Sequence, residues 1–118
     1  MSTQRDPKKL LYDMLDSCRF LMEFSSGRTL DDLRNDRGFR SGVERELQII
    51  GEALIGLTKS APLLAEQISE HKRIIRFRHV LVHGYDIVNH EITWAILYEK
   101  LAILKRDIEI LLTSIEDQ

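Results

Sequence analysis

Residues 36–57 read DRGFRSGVERELQIIGEALIGL. Phe39, Val43, Leu47, Ile50, Leu54 and Leu57 step by four or three, the spacing that lines one face of an α-helix. Ile49, Ala53 and Ile55 widen the stripe, so this helix is expected to be buried on more than one side. Asp36 stands where an N-cap is needed. Upstream, Asp6-Pro7 opens another helix, with Asp as cap and Pro at the first helical position. Leu10, Leu11, Met14, Leu15, Cys18, Leu21 and Met22 then recur at helical spacing, and Gly27 is the expected stop. Thr29 to Asp32 has the form of a capping box and predicts a short helical turn.

Downstream, Ser60-Ala61-Pro62 breaks the pattern. A further helix is expected from about Leu64 to Val82 or His83, ended by Gly84. Asn89 caps the last one. Leu97, Leu101, Leu104, Ile108, Leu111 and Ile115 step by four and three along it, a coiled-coil-like seam. No stretch alternates as a strand would. The expectation is an all-α fold: an antiparallel bundle of four main helices plus a short one, with residues 1–118 forming one domain.

The composition is that of a folded chain, with 43% hydrophobic and 31% charged residues in 118. A formal net charge of -2 argues against a protein that coats DNA through excess Lys and Arg. Cys18 is the single cysteine, so no internal disulfide is possible, and its apolar neighbours predict a core thiol. MSTQRDPKK carries no apolar signal segment, and no run reaches the length of a membrane span. A reducing cytoplasm and no membrane association are expected.

Against that acidic balance, residues 71–86 stand out: HKRIIRFRHVLVHGYD. Lys72, Arg73, Arg76 and Arg78 gather here with three of the four histidines, and no acid intervenes before Asp86. Such a local positive field suits a phosphate backbone, or else forms a solvated basic face balanced by acids elsewhere. Within it, Arg78, His83 and Tyr85 make an Arg-x4-His-x-Tyr pattern. Five residues turn a helix by about 500°, which leaves Arg78 and His83 roughly 140° apart. They converge only at a helix end or with a second copy supplying the missing member.

His79 and His83 share a helix face. That spacing suits zinc, but no nearby carboxylate or Cys completes a set, and no metal is expected. Glu52, amid apolar neighbours, is costly to bury unless paired. It is expected to orient Arg78 or His83, or to hold the bundle by a salt bridge. His71 and His90 are expected at the surface, and Trp94 in the core or at a subunit interface. Gly84 leaves room for a partner backbone beside Tyr85.

The segment RFRHVLVHGYDIVNHEITW resembles the signature of HepT-like proteins of the HEPN superfamily. The upstream Ile50-Gly51-Glu52-Ala53 is similar to that family's Ile-Gly-Glu-Ala helix, and Arg28-Thr-Leu-Asp-Asp-Leu fits as well. The likeness covers nearly the whole chain. It departs after the motif arginine, where the usual Asn or Asp is here His79.

The resemblance implies a metal-independent endoribonuclease without cofactors, the toxin of a toxin–antitoxin pair. It implies a homodimer whose Arg78 and His83 pairs line one cleft. RNA supplies its own nucleophile, the 2′-hydroxyl. His83 then suits general base or acid work, and Arg78 suits a two-pronged hold on the phosphate as charge builds. Lys72, Arg73, Arg76, His79 and Glu52 are supporting or RNA-contacting candidates. The resemblance further implies an MntA-type nucleotidyltransferase antitoxin that transfers AMP to Tyr85, placing a bulky anion at the cleft. Two other readings remain: a non-catalytic helical scaffold or nucleotide- or RNA-binding subunit of a nucleotidyltransferase complex, and a generic helical oligomerisation domain.

Overall fold

The computed structural model describes residues 5–84 and 88–117. Helix α1 spans Pro7–Phe24, α2 Leu30–Asn35, α3 Arg37–Ser60, α4 Pro62–Glu66 and α5 His71–His83. Then α6, His90–Ala95, passes through a π-helical turn, Ile96–Lys100, into α7, Leu101–Glu116. These last three are continuous, so the described residues hold six helical rods and no strand.

The starts are where the side chains require them. Asp6 accepts from the Lys8 amide and Pro7 occupies the first turn of α1. Thr29 and Asp32 close a reciprocal capping box on α2. Asp36 both ends α2 and caps α3, accepting from the Phe39 amide at 3.0 Å. That hydrogen bond and then the Arg28 guanidinium hold its carboxyl below the usual carboxylate range. Arg40 returns from α3 to cap the open carbonyls of Leu33 and Arg34 at 3.1 and 2.7 Å. Asn89 accepts from the Glu91 and Ile92 amides at the start of α6.

All six stripe residues of α3 are buried, with Ala53 beside them, while Ile49 and Ile55 are half-covered. The helix packs on α1 along one side and on α5 along another. The α7 seam from Leu101 to Leu111 is buried and packs against α1, with Ile115 partly covered. Cys18 lies fully buried in this core, and burial pushes its thiol up to about 12. Met22, by contrast, faces solvent.

The count of four main helices and one short one is corrected to six rods, because the helix expected from Leu64 to His83 is two. Ile68 turns inward and is buried, and the Ser69 amide donates to the Asp107 carboxylate of α7 at 2.9 Å. Glu70 adopts φ 56°, the left-handed region that a continuing helix excludes. No Gly or Pro marks the break. The π-helical turn is the second departure from the expected pattern. It buries Leu97 while leaving Tyr98 on the surface, its ring 5.9 Å from that of half-buried Trp94 and tilted by 39°.

No helix among the described residues is long and apolar enough to cross a membrane.

Truncation along α7 should separate seam from surface. Ile108→Ala removes a fully buried side chain and should cost about 2–5 kcal/mol in urea unfolding. Ile110→Ala, on an outward-facing position, should shift stability by about 0.5 kcal/mol or less. Equal losses at both would contradict this packing.

Candidate functional site

Helix α5 carries the residues that the sequence singles out, and it is an unusual element. It is amphipathic, yet none of its residues is fully buried. Ile74, Ile75, Phe77 and Leu81 are only partly covered against the core. Lys72, Arg76, His79 and His83 step by four, three and four, and all are exposed. They form one basic, imidazole-bearing stripe along the solvent side. The His79 and His83 rings lie 4.8 Å apart between centroids, tilted by 56°. Among the described residues no third His, Cys, Asp or Glu joins them in a group able to hold a metal ion.

Arg78 lies on a different side of the helix. Its stem rests on Gly51 of α3, where a Cβ would fall 2.3 Å from Arg78 Cβ and 2.6 Å from Cγ. The guanidinium Nε is buried and has no hydrogen-bond partner among the described residues. A buried donor left unpaired is costly, and a charged one more so. One protomer therefore does not set Arg78 and His83 on a shared face of α5, in keeping with the angle between their positions.

His83 is the last residue of α5. The Gly84 amide donates to the Val80 carbonyl at 2.6 Å, and a Cβ on Gly84 would strike that same oxygen at 2.3 Å. The space that this glycine leaves is thus occupied by the end of its own helix, a role that sequence reading assigned to a partner. Tyr85 lies outside the described residues, as does Asp86.

At the other end of α5, Glu70 grips two cations. Its carboxylate lies 3.1 Å from Lys100 Nζ of the π-helical turn and 2.6 Å from Arg73 Nη1. Lys100 first, and Arg73 after it, hold the Glu70 carboxyl below the usual carboxylate range. The clamp spans the mouth of a groove of about 360 Å³ between α5 and the rod formed by α6, the π-helical turn and α7. Ile74, Phe77, Val80, Ile92, Ile96 and Leu104 line it, with Arg73, Arg76 and Lys100 at its rim. Neither Glu70 nor this groove was singled out in the sequence, because both depend on the unmarked break at 67–70.

Of the remaining candidates, Glu52 is exposed and forms no ion pair among the described residues, so it is not the buried, bundle-holding carboxylate expected. His90 is half-buried rather than at the surface, and its Nδ1 is enclosed without a partner among the described residues. Arg73 is exposed apart from its pairing with Glu70.

Because the Glu70 pKa is depressed in the folded chain, its contribution to stability is complete above the unfolded carboxylate's pKa. It is lost as pH falls through the folded value. Glu70→Gln should therefore make the loss of stability below about pH 5 shallower than in the parent, measured by urea unfolding at several pH values. Parallel curves would dismiss the clamp.

Residues 14–111 match the family model described as ribonuclease HepT-like. A "putative RNase" of Methanocaldococcus jannaschii is 30% identical over 115 residues, covering 98% of this chain and 94% of its own. A second protein of that name from the same archaeon is 29% identical over 108 residues, 92% of this chain and 98% of its own. The "probable ribonuclease HepT" of Thermococcus cleftensis is 28% identical over 106 residues, 90% of this chain and 96% of its own. No solved structure gives a significant match.

Proposed function

Since this chain belongs to the family of HepT-like ribonucleases, we propose that it is a metal-independent endoribonuclease, the toxin of a toxin–antitoxin pair, working as a homodimer through Arg78 and His83. The observation that carries this reading is that Arg78 of the Arg-x4-His-x-Tyr pattern, half-buried, pairs with no carboxylate among the described residues. A guanidinium without a protein anion keeps its terminal N–H donors for one brought by a ligand, and a phosphodiester oxygen meets that description.

In the proposed reaction an imidazole of His83 removes the proton from an RNA 2′-hydroxyl. That oxygen bonds to the adjacent phosphorus, and the bond from phosphorus to the 5′-oxygen breaks. The His83 of a second copy returns a proton to the departing oxygen. Arg78 offsets the negative charge that gathers on the phosphoryl oxygens. The products are a 2′,3′-cyclic phosphate and a 5′-hydroxyl. The exposed stripe of Lys72, Arg76 and His79 offers the rest of the strand a cationic track.

A second copy is supported by two features. The groove beside α5 is apolar and open, and Ile92 and Ile103 at its edge are exposed. A helix with no buried residue of its own also gains most from a partner that covers it. With two copies, one phosphate can meet an arginine from one chain and an imidazole from the other. Neutralisation by an MntA-type nucleotidyltransferase follows the same logic. The Tyr85 hydroxyl attacks the α-phosphorus of ATP, pyrophosphate leaves, and the added anion repels RNA.

The separation of Arg78 and His83 on α5 favours one rival: a helical scaffold or nucleotidyltransferase subunit that binds RNA without cutting it. Cleavage of single-stranded RNA in the presence of EDTA distinguishes the two. The dimer should cut, and His83→Ala should lower the rate by about 100-fold or more while leaving the melting temperature unchanged. Arg78→Ala should lower it similarly, by about 100- to 1,000-fold. RNA that is bound but never cut by the parent would give the rival the decision.

A further inference from the structure

We infer that Gly51 is a positioning residue for the proposed cleavage: the notch it makes in α3 lets α5 approach closely enough to present the Arg78 guanidinium to RNA. The inference rests on the ribonuclease reading above for the role of Arg78, but the notch is a matter of packing geometry.

Glycine weakens the interior of a helix, so one in the middle of α3 calls for a reason. Gly56, five positions on, has a mild one. A Cβ there would meet Leu10 methyls at 3.3 and 3.4 Å, which a flexible side chain can absorb. Gly51 is different. The missing Cβ would lie 2.3 Å from Arg78 Cβ and 3.6 Å from Arg78 Cα. Both Cβ atoms are fixed to their backbones, so no rotamer change relieves the overlap. The helices would have to part by about an ångström to reach ordinary contact at 3.4 Å.

The burial pattern decides which helix yields. Around Gly51, α3 is pinned by Ile50, Ala53, Leu54 and Leu57, all buried in the core. Nothing in α5 is fully buried. A methyl at position 51 would therefore push α5 outward, and Arg78 would travel with it. The stem whose Cβ and Cγ lie against Gly51 carries the guanidinium, so the displacement falls on the group that is to meet the phosphate. Misplacement by an ångström is enough to cost about 100-fold in rate.

The test compares Gly51→Ala with Gly56→Ala on single-stranded RNA. Gly51→Ala should lower kcat by about 100-fold with little change in KM, and Gly56→Ala should leave both close to the parent values. A folded Gly51→Ala that cuts at the parent rate would overturn the inference. Should Gly51→Ala not fold, Gly51→Ala/Arg78→Gly removes both atoms that the new methyl strikes. Recovery of the parent helix content supports the notch, and failure to recover overturns it.

A second readout needs no turnover. The Nε–Hε NMR signal of Arg78, assigned by its loss in Arg78→Lys, should move when uncleavable 2′-deoxy-substituted RNA is added to the parent protein. It should stay still in Gly51→Ala. A parent protein that shows this shift yet never cuts RNA removes the ribonuclease reading and leaves the notch standing. A shift of the same size in Gly51→Ala removes the notch.

Discussion

The close approach of α5 to α3 at Gly51 is the constraint on which the rest of the site depends. α3 has more buried residues than any other described helix and is held in the core by them. Against that fixed rod α5 can settle only where the opposing backbone leaves space. The position without a Cβ receives the stem of Arg78. Dispersion contacts at such a crossing fall away steeply with distance, so the register of α5 on α3 is sharply defined at this point. The arginine is thereby held by backbone geometry rather than by ion pairs, and its Nε is left free of any acceptor within the described residues.

The same arrangement leaves α5 covered on one side only. Its opposite faces divide between a cationic, imidazole-bearing stripe and an apolar groove. In the proposed reading this division reconciles an acidic chain with a polyanionic ligand. The net charge of -2 belongs to the whole chain, whereas a polyanion responds to the local field, and the exposed stripe of α5 is cationic. Acids elsewhere are engaged in structural pairs, such as Glu91 with Arg34 at 3.0 Å between α6 and α2, and Asp36 with Arg28.

The two irregular segments of the backbone are coupled. The turn at 67–70 is fastened to α7 through Ser69 and Asp107, and to the π-helical turn through Glu70 and Lys100. Without the left-handed Glu70, α4 would run straight into α5, and the groove between α5 and the last rod would not have its present mouth. Strain at a single residue is thus offset by ionic and hydrogen-bonded contacts from a different part of the chain.

Periodicity and capping chemistry were enough to place most of the helices, because they act over a few residues. Met22 apart, the stripes of α1, α3 and α7, and the caps Asp6, Thr29, Asp36 and Asn89, stand in the folded chain where their spacing puts them. The residues of the candidate site were legible too, as an arginine and a histidine of fixed separation within a basic segment. What local patterns could not carry was decided at long range. The break at 67–70 contains no Gly or Pro and exists because Ile68 and Ser69 gain partners across the bundle. Glu52, hemmed by apolar neighbours in the chain, points to solvent because each residue turns a helix by about 100°, so neighbours in sequence do not share a face. The use of Gly51 was invisible for the same reason. A missing Cβ has meaning only when another backbone comes to stand where it would be, and that is a property of how two helices meet.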